Sequence, residues 1–372
     1  MPSSMTRINF VQVAYTPHGD DFLIALRRLS SLEIIPWFPA SSYPTYGFSE
    51  SNVSRDNSVN FYGHLRGALA FVLRGAGSNS DGWFLAGWNN IPIKIIIFIF
   101  FLTRKNFGIW VDVPFGHENH IGFRRGLLYF VLRRSKVTVF CIGQRALESL
   151  KVVGFKESAL VNMRVTLEPR LTSPSQSAQT DLHQRLNLRL ERIIISTGSR
   201  IIREKGFDVL VKAVSLLTQR ELASIQVVIV GQGEFETELR ALIQFYHLDQ
   251  CVTIRKWMEG VDFRELVSAS TLVVHPSRVD SYGGPTVVAL AEGIGVVGTS
   301  SAGSVDEIVT DRWNGRIYES EDFTGLASIL SEVIDNPEIA KVWGKNMSTL
   351  SQNQMFGPEG MVKILLSRLG LK

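Results

Sequence analysis

The sequence predicts an α/β chain of two parallel-sheet domains. Three observations carry this. The 372 residues suffice for about two domains at roughly 150 residues each. Apolar residues make up 45% of them, enough for two cores. Short apolar runs also alternate with helix-like segments down most of the chain, the pattern of a parallel sheet covered on both faces.

In chain order, RINFVQVAY reads as a strand, DDFLIALRRLSSL as a helix and EIIPWFP as a second strand. Then come FYGHLRGALAFVLRGA, the loop DGWFLAGWNN, the run IPIKIIIFIFFL, FGIWVDV, GFRRGLLYFVLRRSK and VTVFCIG. The run from Ile91 to Leu102 holds Pro92 and Lys94 and is short of the ~20 residues of a membrane span, so a buried helix or strand is expected. EPRLTSPSQSAQTDLHQ, rich in Ser, Thr, Pro and Gln, is the linker candidate. Beyond it, strand-like runs recur at 192–199, 225–233, 251–257, 271–277, 295–301 and 315–320, most of them separated by amphipathic segments. PEGMVKILLSRLGLK reads as a terminal helix. The expected organisation is a first domain over 1–167, a linker over 168–190, a second domain over 191–350, and a helical tail over 351–372 packing back on the first domain.

The net charge of +4 suits an anionic ligand or membrane surface and is too weak to argue for nucleic acid. No zinc-finger or RNP pattern accompanies it. Cys141 and Cys251 lack CxxC spacing and read as buried thiols of a reducing compartment. MPSSMTRINFVQVAY lacks a signal-peptide layout, which points to the cytoplasm.

Several constellations carry chemistry. In TGSRIIREKGF, Gly198 and Ser199 end a strand, Arg200 follows at once, and Lys205 opens the next helical segment. Two cations at a strand's carboxyl end suit a diphosphate; the alternative is a solvated basic surface. In HPSRVDSYGGPT, Gly283 and Gly284 let backbone approach a ligand closely, and Pro285 pre-sets a helix continuing through Thr286. That helix N-terminus favours phosphate. Asp280 does not, so it is expected to meet hydroxyls, a sugar being the natural candidate; the alternative is a tight turn with Asp280 as helix cap. IVGQGEFE resembles a dinucleotide fingerprint, but Glu236 fills the third glycine position, so a strand-to-helix turn is expected.

In the first half, WVDVPFGHENH gathers Asp112, His117, Asn119 and His120 at a strand's carboxyl end. The two histidines are three apart and do not form HExxH, so no metal is assigned. YTPHGDD, with His18 and Gly19, occupies an equivalent strand end and is expected to line the same cleft. Residues 121–136 carry five cations among aromatics and leucines, which suits a helix lying on an anionic membrane surface.

Taken together, STGSRIIREKGFDVLVKA, VVIVGQGEFETELRAL, LVVHPSRVDSYGGPTVVALAEGIGVVGTSSAGSVDEIV and NGRIY, in this order over 192–336, resemble the family-4 retaining glycosyltransferases. The first half resembles that family only in outline. The resemblance implies the GT-B fold, two Rossmann-like domains facing a deep cleft and closing over the donor. It implies transfer of a sugar from a nucleotide diphosphate to an acceptor hydroxyl with retention, and no cofactor beyond that donor, UDP-sugar preferred over GDP-sugar. By position, Arg200 and Lys205 match the cations holding the diphosphate. Gly283 and Gly284 match the loop facing donor phosphate and sugar, and Asp280 matches the first acid of the Glu–seven residues–Glu motif. Ser301 to Ser304, with Gly303, match a loop near the nucleotide. The departure is Val288, where the family has the glutamate gripping the ribose; Glu292, four residues on, is not expected to replace it. The implied acceptor is a saccharide or lipid-linked saccharide of bacterial cell-surface polysaccharide or lipopolysaccharide assembly, handled in the cytoplasm or at the inner face of the plasma membrane. The rivals are a non-catalytic GT-B binding protein and a GT-B sugar-nucleotide epimerase.

Overall fold

The computed structural model describes residues 7–12, 33–39, 59–61, 82–88, 91–112, 123–170, 176–258, 260–353 and 356–371. The chain divides into two units, Met1–Thr166 with Pro358–Lys372, and Leu167–Gly357.

Among the described residues, unit 1 carries seven strands, β1 (Arg7–Gln12), β2 (Glu33–Pro39), β3 (Val59–Phe61), β4 (Gly82–Ala86), β5 (Phe107–Val111), β6 (Val137–Cys141) and β7 (Leu160–Asn162). They pair in parallel in the order β3-β2-β1-β4-β5-β6-β7. Helices α1 (Ile91–Leu102), α2 (Phe123–Arg134) and α3 (Gly143–Val152) follow β4, β5 and β6. Side chains alternate across a strand, so each β4 neighbour joins a different core. Trp83 and Leu85 pack with Ile96, Ile97, Leu132 and Ala146 under these helices. Phe84 turns the other way, against Phe140, Met163 and the helix Pro358–Leu369, which contributes Met361, Val362 and Leu365.

The run from Ile91 to Leu102 is a helix with one buried side only. Ile93, Ile96, Ile97 and Phe100 face the core at helical spacing, whereas Phe98 and Leu102 are 51% and 63% exposed. The expectation of a buried helix holds for that side alone, because the run is apolar all round and its periodicity names no solvent side. Among the described residues, no helix is long and apolar enough to cross a membrane.

Unit 2 carries β8 (Ile193–Gly198), β9 (Ile225–Val230), β10 (Val252–Arg255), β11 (Leu272–His275), β12 (Val296–Thr299) and β13 (Gly315–Tyr318). Their order is β10-β9-β8-β11-β12-β13, again all parallel. Its helices are α4 (Gln176–Arg185), α5 (Phe207–Ser215), α6 (Gln219–Ser224), α7 (Glu236–Phe245), α8 (Gly260–Ser268), α9 (Gly284–Glu292), α10 (Gly303–Ile308), α11 (Phe323–Asp335) and α12 (Glu338–Ser351). Ile195, Val227 and Ile229 pack under α5, α7 and α11, while Ile194 and Val228 pack with Leu182 of α4 and Leu266 of α8. The stretch read as a linker over 168–190 is therefore in part a helix of unit 2, with Asp181, Gln184 and Arg185 exposed on α4. Strand order reverses between β8 and β11, the switch point at whose carboxyl ends open α/β sheets bind ligands.

Candidate functional site

Two loops leave that switch point and are joined by a buried ion pair. After β8 the chain runs through Ser199 and Arg200 into a 3-10 turn, Arg203–Lys205, closed by Gly206. After β11 it runs through Pro276, Ser277 and Arg278 to Asp280. The Lys205 Nζ donates to Asp280 Oδ2 at 2.6 Å, with both side chains about nine-tenths buried. His275 Nε2 lies 3.3 Å from the same oxygen, and Ser277 Oγ donates to it at 3.5 Å. Burial would push the Asp280 carboxyl up, but the His275 ring and the Lys205 ammonium outweigh it and hold the group well below the usual carboxylate range. An ionised carboxylate only accepts, so Nε2 carries the proton in this contact. The other ring nitrogen, Nδ1, lies 2.8 Å from Thr286 Oγ1 in the first turn of α9.

Backbone bonds fix the loops against one another. Arg278 N donates to Glu204 O at 2.8 Å, and Asp280 N to Ser301 O at 3.3 Å. Gly303 N donates to Asp280 O at 3.2 Å, and Ser304 Oγ to Gly283 O at 2.9 Å. The Arg278 guanidinium grips Asp208 of α5 with two bonds, at 2.7 and 2.8 Å, and also bonds Glu321 and the Arg203 carbonyl. Burial pushes the Asp208 carboxyl up, and Arg278 more than reverses it, so Asp208 titrates below its ordinary range.

Gly283 caps α9 with φ of 104°, and a Cβ there would stand 2.1 Å from His275 Cε1. Only glycine fits this turn. Gly284, next along, has open space where its Cβ would be. The α9 N-terminus has no side-chain cap, so Asp280 is not its capping residue.

The structure thus brings Lys205, Asp280, Gly283, Gly284, Ser301 and Gly303 together. Gly198 and Ser199 lead into the site, and Arg200 is exposed beside them. Pro285 is buried in the first turn. Two donor-binding candidates turn inward. The Thr286 hydroxyl is held by His275 and fully buried, so only its backbone lies at the helix end, and Val288 is 6% exposed in the middle of α9. Glu292 is committed elsewhere. Its side chain is fully buried between Arg170 and Arg264, Arg264 Nε donating at 2.6 Å. The second Arg264 arm donates to Glu168 O at 2.7 Å, and Arg170 N to Ala291 O at 2.7 Å, so 168–170 are strapped to the end of α9. In GQGEFE, a Cβ on Gly231 would stand 1.9 Å from Ser199 O. That glycine serves the approach of two loops, which fits the strand-to-helix turn. Asp112 is exposed at the end of β5. His18, Gly19, His117, Asn119 and His120 lie outside the described residues, as do residues 121 and 122 of the basic segment.

His275 is the site residue sequence reasoning missed, and Arg278 is one it places in the loop without a role. The available signal was a polar side chain ending an otherwise apolar central strand, with a cation three residues on. Among the described residues, no group of three His, Cys, Asp or Glu could hold a metal ion.

Residues 178–349, most of unit 2, match the family model of glycosyl transferases group 1. The alpha-D-kanosaminyltransferase of Streptomyces kanamyceticus is 26% identical over 176 residues, 47% of this chain and 45% of that protein. The GDP-mannose-dependent monoacylated alpha-(1-6)-phosphatidylinositol monomannoside mannosyltransferase of Corynebacterium glutamicum is 30% identical over 152 residues, 39% of this chain and 38% of that one. The chain thus spans less than half the length of these two relatives. HepE of Anabaena, solved in complex with UDP, superposes with a TM-score of 0.80 at 17% identity, over 98% of this chain and 100% of that one. WaaG, a glycosyltransferase involved in lipopolysaccharide biosynthesis, gives 0.65 at 12%, over 96% and 99%. These likenesses show the fold, GT-B.

Proposed function

We propose that the chain is a retaining glycosyltransferase that moves a sugar from a nucleotide-diphosphate sugar to an acceptor hydroxyl. One observation carries the reading: Lys205 Nζ and Asp280 Oδ2 meet at 2.6 Å at the switch point of unit 2, beside the uncapped α9 N-terminus. The departing nucleotide diphosphate gains negative charge in the transition state. Arg200, Lys205 and the α9 N–H groups are the charges that stabilise it, commonly the largest catalytic term. The three side-chain contacts to Asp280 all fall on Oδ2. Oδ1 accepts from the donor-sugar hydroxyls. Donor entry loosens the Lys205–Asp280 pair, the ammonium moving to phosphate and the carboxylate to sugar, so neither charge is left alone. Retention follows from front-face attack, with the leaving phosphate taking the acceptor's proton.

UDP is the preferred nucleotide, supported by the UDP bound to HepE. The acceptor is a saccharide or lipid-linked saccharide of cell-surface polysaccharide assembly, handled at the cytoplasmic side. This is supported by the names of WaaG and of the capsular polysaccharide glycosyltransferase CapM of Staphylococcus aureus, 20% identical over 262 residues.

The test is a calorimetric screen of UDP- and GDP-sugars, then nucleotide release with saccharide acceptors. Turnover in the wild type and its loss in a folded Lys205→Ala chain are expected. A donor bound but never cleaved indicates a binding protein instead, and sugar isomerisation without acceptor an epimerase.

A further inference from the structure

Helices α1 and α2 lie side by side on one face of the unit 1 sheet. They connect three adjacent strands, β4 to β5 to β6, share one core and pack against each other. Their outer sides therefore form one continuous surface facing away from the sheet. That surface is apolar where solvent ought to meet it. Phe98 and Leu102 of α1 and Leu127 and Phe130 of α2 are 51%, 63%, 56% and 43% exposed. Phe98 and Phe101 stack at 6.4 Å and extend the patch. Single exposed apolar residues are ordinary, whereas four large ones on two adjacent helices mark an interaction surface.

The charges around the patch identify what it meets. Neither helix contains an acidic residue. Lys94, Arg104, Arg134 and Lys136 are exposed at the helix ends. The Arg134 guanidinium lies 3.7 Å from the Phe130 ring centre, its stem along the apolar surface and its charge at the rim. A second copy of the same face would bring like charges together, which disfavours self-pairing. An apolar strip between cations, with no anion on either helix, is complementary to a lipid surface bearing negative headgroups.

We infer that the α1–α2 face seats on an anionic lipid bilayer, with Phe98, Leu102, Leu127 and Phe130 entering the headgroup layer and the flanking cations meeting lipid phosphates. This goes beyond a basic segment at 121–136, because half of the apolar contact comes from α1. It does not depend on the donor chemistry.

The experiment is co-sedimentation of the full chain with vesicles of phosphatidylcholine, alone or mixed with phosphatidylglycerol. The wild type is expected to sediment with the mixed vesicles and to be released by salt. Phe98→Ser with Leu102→Ser is expected to lose most of that binding. Arg134→Gln with Lys136→Gln is expected to weaken it by about fivefold for each cation removed. All four positions are exposed, so unchanged melting curves confirm that folding is intact. Wild-type protein left in the supernatant, or variants that bind like the wild type, overturns the inference. So does a dimer that Phe98→Ser dissolves, since the face would then belong to a copy of the chain.

Discussion

Replacing Lys205 by alanine removes the cation from a pair whose side chains are 10% and 9% exposed. Breaking a buried pair by removing one partner costs about 3–5 kcal/mol, because the other charge stays buried. His275 and Ser277 remain on Asp280 Oδ2, so the lower end applies. For a unit of this size, about 3 kcal/mol lowers the melting temperature by roughly 6–12 °C. The penalty has a definite pH dependence. In the wild type the Asp280 carboxyl is held low, so its contribution is present above the unfolded carboxylate value of about 3.9 and is lost only as pH falls through the lower folded value. In the variant, burial, the largest influence, is opposed by fewer partners, and Asp280 takes up its proton at higher pH. The folded variant then binds more protons than the folded wild type in mild acid. The stability gap therefore narrows as pH falls. Urea melts of both proteins at neutral pH and near the carboxylate range measure it, and Lys205→Met with Asp280→Asn is expected to regain much of the loss. A gap below about 1 kcal/mol, or one independent of pH, refutes the view that Asp280 is the charge left behind.

Three further outcomes are expected. Val288→Glu puts a carboxylate at a position only 6% exposed and is expected to destabilise the chain by about 3 kcal/mol or more; an unchanged melting temperature together with tighter UDP binding by calorimetry would instead put the ribose beside residue 288. Gly283→Ala drives a methyl into the His275 ring and destabilises by more than about 1 kcal/mol, beyond the ordinary effect of alanine at a compatible site; a melting temperature equal to wild type contradicts the geometry. The Cys141 thiol, pushed up to about 12 by burial against a smaller opposing backbone hydrogen bond from Val161, and the likewise raised Cys251, are expected to resist alkylation at mildly alkaline pH until the chain is unfolded. Rapid labelling of the native protein would count against both assignments.

Much of unit 2 is readable in the sequence because its strands are short β-branched runs between amphipathic helices. Local pattern suffices for elements of that kind. The Lys205–Asp280 pair shows where local reading stops. Each residue stands out alone, but they are 75 positions apart, and chemistry assigned them to different parts of a ligand. Their bond to each other depends on strand order, which no local pattern encodes. The same holds for Glu292, whose partner Arg170 lies 122 residues away. His275 looked like the end of a strand because its two hydrogen-bond partners come from a loop and a helix that follow it. In α1 the difficulty was different, since a run apolar on every side hides which side is covered.

The helix Pro358–Leu369 belongs to the core of unit 1 although all of unit 2 precedes it in the chain. During synthesis, Phe84, Phe140, Val161 and Met163 are made long before Met361, Val362 and Leu365 exist to cover them. Unit 2 is continuous in sequence and is able to fold as soon as its residues have emerged. The core cluster of Phe84, Phe140, Val161 and Met163 lacks its three later partners until the residues of the helix Pro358–Leu369 have been made. A ribosome stalled after unit 2 would therefore carry a finished second unit and an incomplete first one, and that nascent chain is the form most in need of a chaperone.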